Sequence, residues 1–489
     1  MKLNAGIGYK FQLFAPVWVM MLALSGCASF DLKPAPTVVE PQDAALSDAP
    51  PLQDWSVPAP DALPTIDWVR AFPDLKLIGL VDEALRENTN IGAAYARLEG
   101  AIAREKISNA ARVPSVSASA GISRSERRNE FVPDTTSLSA GLNASWEPDF
   151  WGRIADDISA SELGTEAAAT DVASARLSIT GQVAQIWFSL IETKLLDDLS
   201  LEEIETQERA LRRSLRRFEA GLSSSADVRL TRSSLARAQA THASRMQRLA
   251  ALSRQLETIL NRYPAGDIEA TEDLPALPLL TGAGAPTYIL TQRPDLIAAE
   301  QRLAAQGIEV DIARKALLPR LNLTSGLSAG STSIKNFFDI DALVANIASN
   351  LTAPIFQGGR LRANVELQES VLEQQLQSYI GSVLDAYLDV ENALDAEMRL
   401  EEREVALRVS AEEALEAEKR LELRYTEGLA SILQLLDAQT RRISAQGQLI
   451  SARAERLQNR VRLHVALGGG AYGDIPPDAL PAFLRDQGE

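Results

Sequence analysis

The residue types that most often carry out catalysis or bind metals are scarce in this sequence. Among 489 residues there are two histidines, His242 and His464, and one cysteine, Cys27. A single cysteine rules out a disulfide framework and a cysteine-based zinc site, and two histidines do not support a histidine-rich metal site or a histidine-dependent triad. Asp and Glu total 66, yet no spacing places two of them in a pocket. We therefore expect no enzyme, no cofactor and no metal, and we interpret both histidines as packed or surface residues of helices.

Composition and charge exclude further classes of protein. The chain has 49 Lys and Arg against 66 Asp and Glu, a net charge of −17, which is the wrong sign for a nucleic-acid partner. Charged residues make up 24% and hydrophobic residues 46%, which fits neither a disordered chain nor a helical membrane bundle. Aromatic residues, at 5%, are few for a carbohydrate-binding or base-stacking surface.

The lone cysteine lies in a context that indicates acylation. Two lysines precede the uncharged run 11–24, which is too short to span a bilayer as a helix but suits the apolar region of a signal peptide. The run ends in Leu-Ser-Gly directly before Cys27, similar to a bacterial lipobox, in which cleavage leaves the cysteine as an acylated N-terminus; an ordinary signal peptide is the alternative. Cleavage removes two lysines and no acid, so the mature net charge is −19. Ala28 in the next position favours sorting to the outer membrane, where acyl chains anchor the protein.

Proline spacing divides the rest of the chain. Eight prolines lie between residues 34 and 64, which predicts an extended arm or linker. Proline is absent from 149–263 and from 355–475, and apolar residues recur there at helical spacing. Each span is interrupted once by a basic residue, an aromatic residue, two further residues and Gly-Leu, at 217–223 and again 207 positions later at 424–430. Because glycine commonly ends a helix, each span predicts a helical hairpin.

Further landmarks repeat at nearly the same offset and indicate an internal duplication. Ala93-Ala94 returns as Ala298-Ala299, Leu98 as Leu303, Pro114 as Pro319, and Gly152-Arg153 as Gly359-Arg360. Several independent landmarks that keep one register are a strong repeat signal. We predict a signal peptide at 1–26, a Pro-rich acylated arm at 27–64, a first repeat at 65–285, a second repeat at 286–470 and a tail at 471–489. Each repeat consists of a helix, two strands and a long helical hairpin.

The predicted strands alternate between apolar residues and Ser, Gly, Asn or Thr. The pattern covers 116–122, 138–146 and 321–329, and less cleanly 343–351. These segments have about the length that a tilted strand needs to cross a bilayer. A half-buried soluble sheet alternates too, but the small polar face suits a wet lumen and the N-terminus already indicates a membrane. Because four strands cannot close a barrel and open edges in lipid leave amides unpaired, we expect other copies of the chain, in a number left open, to supply the missing strands.

The long helix predicted from about residue 153 to residue 218 would extend on the order of 100 Å. Most of such a helix must project from the membrane into an aqueous compartment. A solid bundle and a hollow helical barrel are both compatible with its alanine-rich sequence.

Four stretches of sequence carry a more specific resemblance. They are Trp68–Phe72 with Asn88 and Asn90, Trp146–Arg153, Arg293–Leu296 and Pro354–Arg360, within a region of roughly 65–470. Together they resemble the TolC-like outer-membrane factors, in particular the acylated NodT-type efflux lipoproteins. The resemblance implies an α+β membrane protein with four transmembrane strands per protomer, whose homotrimer forms a 12-stranded β-barrel continued by an α-helical periplasmic tunnel.

The same resemblance implies a function and partners. The chain would be the outer-membrane channel of a tripartite efflux system, a passive exit duct for small molecules such as drugs. Its partners would be outer-membrane lipid, a periplasmic adaptor (membrane fusion) protein and an inner-membrane pump of the RND or ABC type. The duct of a type I protein secretion system is an alternative, although the lipid anchor favours small-molecule efflux. A structural coiled-coil lipoprotein is a second alternative, against which the four strands argue.

The resemblance also assigns roles to residues at the two turns. The turns would lie at the periplasmic end, with an adaptor-docking tip made of Arg217, Gly221, Leu222, Ser223, Arg424, Gly428, Leu429 and Ala430. Plain turn chemistry is the alternative for these residues.

Pore-lining acids are expected just past the second turn. Many members of the family carry two acidic residues there, and the matching positions in this chain are Gln434 and Asp437, so one carboxylate ring is expected. Asp227 in the first repeat is a further candidate for the pore constriction. Symmetry-related carboxylates in a narrow pore attract cations. Alternatively, Asp227 and Asp437 stabilise helix N-termini through the helix dipole.

Overall fold

The computed structural model describes residues 54–57, 67–125, 135–280, 282–332 and 343–469. The predicted signal peptide, the acylation site at Cys27 and the tail at 471–489 lie outside the described residues.

Two successive units with the same order of elements make up the described chain. The first unit has a 3-10 turn at Trp68–Ala71, then α1 (Leu75–Glu87), α2 (Thr89–Ala110), β1 (Ser115–Ser125), β2 (Thr135–Trp146), α3 (Arg153–Glu219) and α4 (Ser225–Ile259). The second has α5 (Tyr288–Gln292), α6 (Pro294–Lys315), β3 (Arg320–Ser331), β4 (Leu343–Thr352), α7 (Arg360–Thr426) and α8 (Ile432–Ala466). The predicted order of helix, two strands and long hairpin is confirmed in both units.

The helices α3 and α7 dominate the shape of the chain. Each has 67 residues, so each extends on the order of 100 Å. Each folds back through a short turn onto a helix of 35 residues, α4 or α8. Among the described residues, no helix is both long enough and apolar enough to cross a membrane.

The four strands form one antiparallel sheet in the order β1-β2-β3-β4. Apolar residues pair with apolar residues across the first two junctions, for example Ala118 with Leu142 and Leu142 with Leu327. Every residue of β1 and of β4 is exposed, so no helix covers either face of these strands. A soluble half-buried sheet would pack one face on a core, and this sheet does not.

A buried polar contact fixes the start of the first unit. The Asp74 carboxylate caps α1 by accepting hydrogen bonds from the backbone amides of Lys76 and Leu77, and its second oxygen accepts one of 2.7 Å from the Trp187 indole. Trp187 is fully buried near the middle of α3, within an apolar cluster that includes Phe72. The hydrogen bonds of Asp74 therefore connect the start of α1 to the middle of α3.

A second apolar cluster joins α6, α7 and the end of α8. It includes Leu296, Tyr379, Val383 and Tyr387. The short segment 54–57 packs beside it, since the Trp55 ring lies edge-on to Tyr387 at 6.1 Å and its indole donates to the Gly284 carbonyl at 2.8 Å.

Candidate functional site

Both hairpin turns end their long helix in the same way. In the first, Leu222 N donates to Arg217 O at 2.7 Å and Gly221 N donates to Phe218 O at 2.9 Å. This pair of bonds is the Schellman motif, which requires a left-handed residue, and Gly221 has φ 71°. The second turn repeats both bonds 207 positions later, with Gly428 at φ 78°. Turn chemistry therefore accounts for both glycines.

The second helix of each hairpin begins with a reciprocal cap. The Ser224 hydroxyl accepts from the Asp227 amide at 3.3 Å, and the Asp227 carboxylate accepts from the Ser224 amide at 3.2 Å. Ser431 and Gln434 make the same arrangement in the second hairpin. Asp227 and Gln434 are therefore repeat counterparts, each engaged in a capping box. The helix-terminus interpretation accounts for the observed contacts of Asp227.

Asp437 lies one turn further along α8 and is not part of the cap. Its side chain is 62% exposed and pairs with Arg441 at 2.8 Å. The Asp437 carboxylate raises the pKa of the Arg441 guanidinium above its usual value. Of the three predicted constriction residues, Asp437 is the one whose side chain accepts no hydrogen bond from a backbone amide among the described residues.

The ends of α3 and α7 contact each other at the tip. The Arg217 guanidinium lies 5.4 Å from the centre of the Tyr425 ring, and Arg213 pairs with Glu422 at 2.7 Å. Burial raises the pKa of the Tyr425 phenol, and the Arg217 charge opposes this shift. These side chains hold the two predicted turns side by side.

A groove of about 330 Å³ opens between the two turns. Its walls are Arg213, Arg216, Arg217, Ala220, Leu222, Tyr425 and Thr426. Leu222, which lines the groove, and its counterpart Leu429 are 68% and 65% exposed. The Ser223 hydroxyl is buried and has no hydrogen-bond partner among the described residues.

The two tips differ in apolar packing. Tyr425 is buried in a cluster with Ile432, Leu435 and Leu436, against which Ala430 packs. Its counterpart Phe218 is 45% exposed. Sequence reasoning missed Tyr425 as a tip residue, although its place in the repeated basic-aromatic motif was a usable signal.

The two tips also differ in charge. Residues 212–232 contain six arginines and two carboxylates, whereas the matching residues 419–439 contain three basic and three acidic residues. Arg216, Arg229 and Arg232 are exposed, and within the described part of the chain their side chains form no hydrogen bond or ion pair. The tip of the first hairpin is therefore a basic surface on an acidic protein.

The two histidines lie on helices away from the tips. The His242 ring contacts the Asp197 carboxylate at 2.8 Å, and His464 stacks on Trp68 with ring centres 5.3 Å apart. Within the described ranges, no group of three or more His, Cys, Asp or Glu residues is arranged to hold a metal ion.

Residues 80–262 and 285–469 match the family described as outer membrane efflux protein. The chain is 31% identical to the pyoverdine export outer membrane protein OpmQ of Pseudomonas putida over 89% of this chain and 95% of that protein. It is 27% identical to the cation efflux system protein CusC of Escherichia coli over 92% and 97% of the two chains. The crystal structure of the Campylobacter jejuni CmeC outer membrane channel, 25% identical, superimposes with a TM-score of 0.78 over 84% of this chain and 89% of that one.

Proposed function

Because the chain belongs to the outer membrane efflux protein family, we propose that three copies form one passive duct from the periplasm through the outer membrane. The main support comes from the sheet. Its outer strands β1 and β4 are exposed on both faces, and each lies at an edge with no further strand partner among the described residues. Four strands are too few to close a barrel, and three copies supply twelve. In the closed barrel the apolar row faces lipid and the Ser, Gly and Asn row faces water.

The long hairpins continue this duct into the periplasm. Helices of on the order of 100 Å reach about three times the thickness of the bilayer core. They leave their turns at the end far from the membrane, since the strands adjoin the opposite ends of α3 and α7. In a trimer the six hairpins surround one axis and form a hollow helical tunnel.

The tip formed by the two turns is the docking site for a periplasmic adaptor protein. The exposed Leu222 and Leu429 and the groove beside Arg216 and Arg217 support this role. An apolar side chain of the adaptor would fill the groove. The basic surface of the first hairpin favours an adaptor with acidic residues at its contact.

The constriction of the tunnel is formed by Asp437. Three copies of this exposed carboxylate, one from each protomer, attract cations and disfavour anions at the narrow end. Asp227 and Gln434 stabilise the start of α4 and α8 instead, because their side chains are engaged with backbone amides.

The duct itself performs no chemistry. Energy for transport comes from an inner-membrane pump of the RND or ABC type that reaches the duct through the adaptor. The named cargoes of its relatives, pyoverdine and cations, differ widely. This variety supports a passive conduit for small solutes, while the choice of cargo lies with the pump. An acyl group on Cys27 anchors the N-terminal arm at the membrane.

Conductance in a planar bilayer tests the proposal with a matched pair of variants. Leu351 and Asn350 are adjacent in β4, so their side chains point to opposite faces of the sheet. We expect the purified full chain to give discrete cation-selective currents. Asn350→Asp adds a charge to the lumen, so currents persist with greater cation selectivity, whereas Leu351→Asp puts a charge into lipid and reduces insertion. Equal effects of the two variants, or no current from the unaltered chain, would refute the duct.

A further inference from the structure

The two outer strands of the sheet have one edge each that is unpaired within the described residues. Among the described strands, β1 pairs only with β2 and β4 only with β3, so each leaves the backbone amides and carbonyls of its other edge without a strand partner. In lipid such groups cost several kcal/mol each when they are left unpaired. The proposed trimer, on which this inference rests, joins β4 of one copy to β1 of the next, but the trimer alone does not determine which residues face each other.

The internal duplication supplies the missing register. Pro114 before β1 corresponds to Pro319 before β3, an offset of 205, whereas Gly152 after β2 corresponds to Gly359 after β4, an offset of 207. Adding 205 to each β1 residue number and 207 to each β2 residue number converts the β1–β2 pairs into the β3–β4 pairs. The first pair of β1–β2, Ser115 with Ser145, then falls on the first pair of β3–β4, Arg320 with Thr352. The two hairpins therefore have equivalent registers.

We infer that the seam, the junction between β4 of one copy and β1 of the next, has the same register as the junction between β2 and β3. The reason is that β4 is the repeat of β2 and β1 is the repeat of β3. Within one copy, Asn143 pairs with Gly326. Its repeat equivalent is Asn350 paired with Gly121 of the neighbouring copy. The adjoining pairs of the seam are then Ala348 with Ser123, Ser349 with Ile122, Leu351 with Ala120 and Thr352 with Ser119.

Residue identity supports this register at the lumen face. A Cβ at position 326 would collide with the side-chain oxygen of Asn346 on β4 and would lie 3.2 Å from the side-chain oxygen of Asn143 on β2, so the glycine leaves room for an asparagine on each neighbouring strand. The same two residue types, Asn350 and Gly121, come together at the seam. An asparagine beside a glycine is thus repeated at both kinds of junction.

A second pair agrees with the same register. Ser145 pairs with Thr324 inside one copy, and two hydroxyl residues, Thr352 and Ser119, face each other at the seam. Hydroxyl pairs across strands hydrogen-bond to each other and stabilise the junction.

Alternation of the two faces excludes a slip by one residue. In the inferred register Leu351 lies beside Ala120, both on the apolar row. A slip by one residue would place Leu351 beside Gly121 and turn the apolar row of one strand towards the lumen. A slip by two residues keeps the faces but separates Asn350 from Gly121, so the experiment must distinguish shifts of two.

Cysteine cross-linking of the full chain tests the register. The matched double variants are Ala348→Cys with Ser123→Cys on the lumen face and Ser349→Cys with Ile122→Cys on the lipid face. Adjacent antiparallel pairs alternate between wide and close spacing, so at least one of the two has its side chains close together. The control variants, Ala348→Cys with Ser125→Cys and Ser349→Cys with Ala120→Cys, are displaced by two residues. Each single-cysteine variant controls for the native Cys27.

Mild oxidation and a denaturing gel without reductant provide the readout. We expect a covalent trimer, reversed by reductant, from a matched variant at several times the yield of its shifted control. A higher yield of covalent trimer from a shifted control than from its matched variant would overturn the register. If light scattering shows particles of three copies and neither matched variant forms cross-links, the register is also overturned. A single copy per particle would overturn the proposed trimer, and the seam with it.

Discussion

Acid should weaken this protein through one buried imidazole. His464 is 2% exposed, stacked on the Trp68 indole, and its Nδ1 atom has no hydrogen-bond partner among the described residues. Burial, together with the nearby Arg460 charge, lowers the pKa of His464 from 6.5 to about 3. The folded chain therefore keeps this ring neutral throughout the mildly acidic range.

The sign and size of the effect follow from proton linkage. In the unfolded chain the pKa of the imidazole is near 6.5, so between that pH and about 3 the unfolded state binds a proton that the folded state does not. The free energy of unfolding therefore has its full value above pH 6.5 and decreases as the pH falls from 6.5 towards about 3. One pKa unit corresponds to 1.36 kcal/mol, so at pH 5 the free energy of unfolding is lower by about 2 kcal/mol per copy.

Thermal unfolding followed by circular dichroism measures this loss. The midpoint is compared at about pH 7.5 and pH 5 for the native chain and for His464→Gln, which cannot take up the proton. We expect the native midpoint to fall by several degrees more than that of the variant. Half-buried carboxylates such as Glu192 and Glu203, whose pKa is raised by burial, act in the opposite direction in both proteins and cancel in the comparison. Equal falls in the two proteins would refute the reasoning.

Three further pairs of substitutions have outcomes that the structure determines. Gly221→Ala forces a side chain into a left-handed turn and should lower the free energy of unfolding by about 1 kcal/mol. Gly381→Ala, in open space within α7, should raise it by about as much. The two variants should therefore shift the melting midpoint in opposite directions. Gly181→Ala places a Cβ 2.7 Å from the Val465 Cγ2 atom and should lower the midpoint, and Val465→Ala in the same chain should restore much of it; absence of rescue would show that the contact is unimportant. Asp437→Asn should reduce the cation selectivity of single channels, while Asp227→Asn should leave selectivity unchanged because the Asp227 carboxylate caps α4. The reversal potential in a salt gradient measures this selectivity. A larger shift of the reversal potential from Asp227→Asn would contradict the assignment of Asp437 to the constriction.

The hairpins and strands were predictable because their signals are local. The proline-free spans and the glycine of each repeated turn motif predicted the bounds of α3 to within a residue, since Gly221 makes a Schellman turn possible at its end. Alternation in β1, β2 and β3 predicted their faces, although Ser325 interrupts the apolar row of β3. The capping boxes were also visible locally, as a serine followed three residues later by Asp227 or Gln434, yet family resemblance assigned Gln434 to the pore.

The sequence alone determined the duplication, the two turns and the two-faced strands, because each depends on residues a few positions apart or on identities repeated at one offset. Tertiary structure decided which equivalent residues behave differently. Tyr425 is buried under Arg217 while its counterpart Phe218 is exposed, and Asp74 reaches the Trp187 indole from more than a hundred positions away. Such contacts arise only when distant helices pack together, and the burial that lowers the pKa of His464 exists only in the folded chain.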